Sequence, residues 1–226
     1  MAMKPKHRIA VLWDLDGTIV DSIECFHLAL EKLIENHHLP FSISFEDYKT
    51  RFFGTTFKEI LNQRIPDICS EEEIDLLVEE YFDLSIQYAR EGHISLIPGV
   101  DVILEELSQH NVPMAIASSS NMQMIVAELQ ALDLLHYFTN IISGSSLPSK
   151  PAPDIFLVAA SSMNHSPGTC VAIEDSIAGI HSAINAGIRC VGITTSRKAD
   201  DIQDADLVID HYNQLSMERL MGLIQL

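Results

Sequence analysis

Short, nearly unbroken apolar runs recur along the chain, each followed by a polar turn and then by a helical period. They are IAVLWD (9–14), PMAIAS (113–118), TNIISG (139–144), TCVAIED (169–175), RCVGIT (189–194) and DLVID (206–210). Continuous hydrophobicity, as opposed to alternation, marks a strand buried on both faces of a parallel sheet. Between the runs the period changes to 3.6. Val100, Ile103, Leu104 and Leu107 share one helical face, as do Ile125, Leu129 and Leu132. In DSIAGIHSAINAG the pattern predicts Ile177, Ile180 and Ile184 on one face, with Gly187 as the C′ stop. Strand and helix alternate, which predicts an α/β protein built on a doubly wound, Rossmann-like parallel sheet.

One interval breaks this rhythm. From Ser22 to Ile97 no run has the character of a buried strand. Ile23, Phe26, Leu30 and Leu33, and later Ile74, Leu77, Val78 and Tyr81, repeat at helical spacing instead. The acidic stretch EEEIDLLVEEYFD (71–83) reads as the solvated face of an amphipathic helix, not as a binding site. The interval ends at Pro98-Gly99, a turn signal suited to a hinge. The expected organisation is a core of residues 1–21 and 97–226, with an α-helical cap, residues 22–96, inserted after the first strand.

Composition narrows the function. The 226 residues are 47% hydrophobic and 20% charged, an ordinary globular profile long enough for a sizeable core. No apolar run approaches the roughly 20 residues of a membrane span, so no membrane partner is expected. The basic start MAMKPKHR leads straight into a strand-like run with no signal-peptide core, which predicts a cytoplasmic location. A net charge of −18, from 32 acidic and 14 basic residues, argues against nucleic acid. It also means that an anionic substrate would need local cations. Cys25, Cys69, Cys170 and Cys190 show no CxxC spacing, and Cys170 and Cys190 are expected as buried reduced thiols. Zinc is not expected, since the ten histidines are scattered apart from His37-His38.

In open α/β sheets, ligands bind at the carboxyl ends of the strands. There the sequence puts Asp14 and Asp16 after the first run, Ser118 of SSSN after the second, and Glu174 and Asp175 of EDS after the fourth. Lys150, in SKPAPDIF, precedes a helix that Pro151 and Pro153 help to start. Carboxylates two apart in a strand point to one side and repel, a conflict that a bound cation would offset. Taken singly, each signal has a plainer reading. Asp-x-Asp-Gly also fits an ordinary turn. Glu174-Asp175-Ser176 also fits a helix N-cap, a role compatible with metal binding. Of the three serines, Ser118 is nearest the strand end, which leaves Ser119 or Ser120 to cap the next helix.

DLDGT, the serine, the lysine and the EDS turn, in that order and with a helical insert behind the first strand, resemble the haloacid dehalogenase superfamily over essentially the whole chain. The resemblance implies a Mg2+-dependent phosphatase acting on a small phosphorylated metabolite. Asp14 would be the nucleophile that forms an aspartyl-phosphate, and Asp16 the general acid/base. Ser118 and Lys150 would bind phosphate. Asp14, the Asp16 backbone carbonyl and Asp175 would hold Mg2+, with Glu174 close by through water. A hard cation with oxygen ligands suits that set. The lysine motif departs from the common Gly-Lys-Pro pattern and reads Ser149-Lys150-Pro151. A dehalogenase is disfavoured because such relatives lack the second aspartate, and a purely binding protein because Asp14, Asp16, Lys150 and Asp175 are all intact.

The alternative enzyme is a phosphosugar mutase of the β-phosphoglucomutase type. Those enzymes place a lysine and an arginine around a cap glycine. If that glycine is aligned with Gly54 in FFGTTFKEIL, Phe53 and Phe57 occupy the two positions, with Arg51 and Lys58 nearby. The position of their cap histidine reads Phe26, with His27 next to it. Hydrolysis is therefore expected over isomerisation, by a monomer, with a dimer as the alternative.

Overall fold

The computed structural model describes residues 9–53, 57–64 and 70–224. In chain order its strands are β1 (Ala10–Trp13), β2 (Val20–Asp21), β3 (Ser95–Leu96), β4 (Met114–Ser118), β5 (Asn140–Ser143), β6 (Cys170–Glu174), β7 (Arg189–Ile193) and β8 (Leu207–Ile209). Six of them form one parallel sheet in the order β5-β4-β1-β6-β7-β8, and every apolar run named above supplies one strand. The central strand β1 pairs on both sides, with Trp13 opposite Ile116 of β4 and Ile173 of β6. All residues of β1, β4 and β6 are buried, as continuous hydrophobicity requires.

The helices are α1 (Ile23–His37), α2 (Phe45–Asp47), α3 (Phe57–Arg64), α4 (Glu71–Arg90), α5 (Val100–Gln109), α6 (Met122–Ala131), α7 (Asp154–Ser162), α8 (Ile177–Asn185) and α9 (Met217–Ile224). Alternate residues of β1 serve opposite sides of the sheet. Val11 and Trp13 share a core with apolar residues of α5, α6 and α9. Ala10 and Leu12 join the core built by α7 and α8. The α5 and α6 faces are as the periodicity predicts, but α8 is not. Ile180 is buried, whereas Ile177 and Ile184 are each 42% exposed. The buried face of α8 is Gly179, Ile180, Ser182 and Ala183, mostly small residues. The reason is proximity to Glu174: a Cβ on Gly179 would stand 1.8 Å from Glu174 Oε1.

The stretch from α1 to α4 lies between β2 and β3. Its apolar faces follow the expected spacing, with Phe26, Leu30, Leu33, Ile74, Leu77 and Tyr81 buried. The acids Glu71, Glu72, Glu73, Asp75 and Glu79 are exposed. A capping box starts α4: Ser70 Oγ accepts from the Glu73 N–H, and Glu73 Oε2 from the Ser70 N–H. β2 and β3 pair antiparallel, Val20 opposite Leu96 and Asp21 opposite Ser95. Gly99, at φ 84°, then turns the chain into α5, in a region that favours glycine. Cys25, Cys170 and Cys190 are buried free thiols, and burial pushes Cys170 up to about 12. Cys69 lies outside the described residues. Among the described residues, no helix is long and apolar enough to cross a membrane.

Candidate active site

Three neighbouring strands, β4, β1 and β6, bring Ser118, Asp14 and Glu174 to one end of the sheet. Asp14 directly follows β1 and still donates its N–H to the Ile173 carbonyl at 3.0 Å. Beyond it the strand has ended, and the Leu15 carbonyl accepts from the N–H groups of Thr18, Ile19 and Val20. Asp14 and Asp16 therefore do not share a strand face, which corrects the expectation drawn from their spacing. Asp14 Oδ1 accepts from Lys150 Nζ at 2.6 Å. Asp16 instead accepts from Ser22 Oγ at 2.6 Å and from Ser120 Oγ at 2.9 Å. The residue that makes the turn, Gly17, sits at φ 83°. A Cβ there would also stand 2.2 Å from Asp175 Oδ2, so only glycine fits.

Lys150 is nearly buried. Its ammonium donates to Asp14, to Glu174 Oε1 at 2.6 Å and to the Ala117 carbonyl at 3.1 Å. The second Glu174 oxygen accepts from the N–H groups of Asp175 and Ser176 and from Ser176 Oγ. Ser176 Oγ in turn caps α8 by accepting from the Gly179 N–H, so capping and carboxylate placement coexist in the EDS turn. Thr18 Oγ1 approaches Asp175 Oδ1 at 3.5 Å. Oxygens of Asp14, Glu174 and Asp175, all buried, lie within 4.8 Å of one another.

Burial, reinforced by the charge of Glu174, holds the Asp14 carboxyl well above its usual range despite Lys150. The same two causes push Asp175 up to about 7. Burial acts to lower Lys150, but the charges of Asp14 and Glu174 outweigh it and the ammonium is held high. One ammonium against three carboxylates leaves buried negative charge in excess, and the donors are all oxygen. That donor set fits a hard divalent cation.

Ser118 is buried at the end of β4, and its Oγ accepts from the Ser120 N–H at 3.1 Å. The next helix is capped by Asn121, whose Oδ1 accepts from the Met124 N–H, and not by Ser119 or Ser120 as expected. Ser120 is committed to Asp16. The structure thus joins Asp14, Lys150, Glu174 and Asp175 in one cluster and links Ser118 to Asp16 through Ser120.

Several neighbours of the site were not foreseen. Ser22 and Ser120 hold Asp16. Thr195 Oγ1 donates to the Gly17 carbonyl, and Ser196 Oγ to the Asp175 carbonyl at 3.0 Å. Glu128 is fully buried on α6, and burial together with the Asp16 charge keeps its carboxyl well above the usual range. Its one signal was a carboxylate between Ile125 and Leu129 on an apolar helical face.

On the helical side, Phe26 stacks on Tyr81 at 5.9 Å between centroids and Tyr81 on Phe57 at 4.2 Å, while the Tyr48 and Tyr81 hydroxyls meet at 3.0 Å. His27 is turned to the Ile43 carbonyl at 2.9 Å. Arg51 and Lys58 pair with Asp47 and Asp75 at the surface. Gly54 lies outside the described residues.

The family profile described as haloacid dehalogenase-like hydrolase matches residues 11–193. A β-phosphoglucomutase of Bacillus subtilis (strain 168) is 32% identical over 219 residues, 93% of each chain. A validoxylamine A 7'-phosphate phosphatase of Streptomyces hygroscopicus subsp. limoneus is 28% identical over 88% of this chain and 91% of its own. Among solved structures, a hydrolase of family IA, variant 3, from Entamoeba histolytica superposes with a TM-score of 0.85 at 27% identity, covering 96% of this chain and 100% of that one. With the profile spanning most of the sequence, this chain belongs to the haloacid dehalogenase-like hydrolases.

Proposed function

We propose that the protein is a Mg2+-dependent phosphatase that hydrolyses a small phosphorylated metabolite, a phosphomonoester, through an aspartyl-phosphate on Asp14. The observation that carries this reading is the buried Lys150 shared by Asp14 and Glu174 beside Asp175. Asp14, the Asp16 backbone carbonyl and Asp175 would hold Mg2+, with Glu174, already engaged by Lys150 and main-chain donors, behind them. The ion would supply charge neutralisation between the carboxylates and the phosphoryl oxygens.

In the first step an Asp14 oxygen attacks phosphorus and the bond to the leaving oxygen breaks. Protonated Asp16 gives its proton to that oxygen. Ser118 and Lys150 hold phosphoryl oxygens meanwhile. In the second step Asp16, now a carboxylate, takes a proton from water as the water attacks phosphorus. The bond to Asp14 breaks, and inorganic phosphate leaves with both aspartates restored. The separate hydrogen-bond partners of the two aspartates, Lys150 for Asp14 and the Ser22 and Ser120 hydroxyls for Asp16, support separate roles.

Residues 22–96 would act as a cap that closes over the core of residues 1–21 and 97–226, with the β2–β3 ribbon and Pro98-Gly99 as the hinge. The enzyme would work in the cytoplasm, as a monomer, on neither nucleic acid nor membrane. The similarity to the Bacillus mutase favours a second reading, isomerisation. A mutase must hold a second phosphate on the cap, and the described cap residues argue against that. Phe26, Phe53 and Phe57 are buried apolar groups, and Arg51 and Lys58 face outward to carboxylates. Incubation with β-glucose 1-phosphate, Mg2+ and a trace of β-glucose 1,6-bisphosphate separates the two. Rapid glucose 6-phosphate formation without phosphate release would overturn hydrolysis, and a phosphate-release screen across sugar phosphates, phosphoglycolate and nucleotides would identify the substrate.

A further inference from the structure

In a chain of net charge −18, a partly buried cation with no carboxylate partner is out of the ordinary. Arg197, in the loop after β7, is such a cation among the described residues. Its Nη1 donates to the Ser196 carbonyl and its Nη2 to the Phe53 carbonyl, each at 3.2 Å. On the core side the same loop is fastened to both acidic turns of the site, by Thr195 to the Gly17 carbonyl and by Ser196 to the Asp175 carbonyl. On the other side Phe53 belongs to the helical stretch and is buried. Its ring edge lies 3.0 Å from where a Cβ on Gly17 would stand, at the place where Asp175 Oδ2 also converges.

We infer that Arg197 is a positioning residue: by gripping the Phe53 main chain, it fixes the Phe53 ring as a roof over the Gly17 turn, against which the leaving group packs. The inference rests on the phosphatase reading for its kinetic consequence, though not for its structural one. A guanidinium suits the task because its planar fork spans two carbonyls at once and stays charged at any working pH. The acceptor is a main-chain oxygen that no substitution of Phe53 removes, so the arginine is the side to change. Arg197 bonds none of the groups assigned to the reaction, so its loss should act on substrate fit more than on bond-breaking.

The test compares Arg197→Gln, which keeps part of the stem, and Arg197→Lys with the unaltered enzyme. p-Nitrophenyl phosphate with Mg2+ serves as the kinetic probe, and amide exchange of a peptide covering residues 45–53 as the structural one. Losing a hydrogen bond from a charged donor corresponds to roughly 10- to 100-fold. Arg197→Gln is therefore expected to raise KM by about that factor, with kcat changed far less, and to speed exchange around Phe53. Arg197→Lys should lie between the two. Unchanged KM and unchanged exchange in a folded Arg197→Gln protein would overturn the assignment, and so would a fall confined to kcat. Should that variant not fold, Arg197→Lys carries the test by the same two measurements. Faster exchange in a protein that hydrolyses nothing would sink the phosphatase reading and leave Arg197 in place, whereas hydrolysis with unchanged exchange would do the reverse.

Discussion

Ser120 and Asp16, 104 positions apart in the chain, meet at 2.9 Å, hydroxyl to carboxylate. With Ser22 on the other carboxylate oxygen, Asp16 is held clear of the Lys150 cluster. The acid/base role proposed for Asp16 is thus carried by a carboxyl group with partners of its own. Asp16→Ala is expected to lose roughly 10²–10⁴-fold in kcat. The loss should be smaller for p-nitrophenyl phosphate, whose leaving group needs no proton, than for an alkyl phosphate. Equal losses on the two substrates would count against the acid role.

Asp14→Asn should abolish turnover while leaving the fold intact. An amide does not form the acyl phosphate, and Lys150 keeps Glu174 as its partner at 2.6 Å. Phosphate release and a thermal melt on the same sample check both halves. Appreciable turnover in the folded variant would rule out the covalent route.

Metal binding and pH should be linked. Asp175 is pushed from an ordinary 3.8 up to about 7, first by burial and then by Glu174. A carboxyl raised in the folded state contributes stability that is complete below about pH 4 and lost as pH rises through about 7. A bound cation needs the ionised form and so restores stability on the alkaline side. The melting temperature of the metal-free protein should therefore fall between about pH 5 and about pH 8, and the rise produced by Mg2+ should be larger at the higher pH. EDTA should remove activity and Mg2+ return it, with Asp175→Ala needing more of the ion. A Mg2+ effect on melting that is the same at both pH values would contradict the linkage.

Gly179→Ala should be severe for a helix residue of ordinary conformation. The added methyl would meet Glu174 Oε1 at 1.8 Å and Oε2 at 2.3 Å, and that carboxylate is fixed by Lys150 and three donors of the EDS turn. Overpacking of this kind costs about 1–3 kcal/mol. Calorimetric melting checks it, and an unchanged melting temperature would mean that Glu174 has room to move.

What could be read from the sequence follows a physical line. The six sheet strands were legible because burial on both faces leaves an unbroken apolar signature, and the insert was legible because that signature stops. Asp14, Asp16, Lys150, Glu174 and Asp175 stand in motifs whose residue types the proposed chemistry requires. Ser22, Ser120, Thr195 and Ser196 were not legible as neighbours of the site. A hydroxyl carries no pattern, and which of three serines meets a carboxylate depends on a turn that no period records. Ile177 and Ile184 misled for a related reason. Their spacing describes a helical face, but the need to bring α8 up to Glu174 turned a face of small residues inward instead.

Because Asp21 and Ser95 are partners in a two-residue ribbon separate from the six-stranded sheet, the whole intervening stretch departs from and returns to that ribbon at a single point. Closing such a loop costs little more as it lengthens, about 0.6 kcal/mol for each doubling. None of the six sheet strands lies inside it. The stretch is in effect a plug-in. An exchange of everything between those two residues would still have to keep the packing of α4 on α6 and of Phe53 on the Gly17 turn. Under the phosphatase mechanism proposed above, such an exchange would alter what surrounds the substrate rather than the carboxylates of the core.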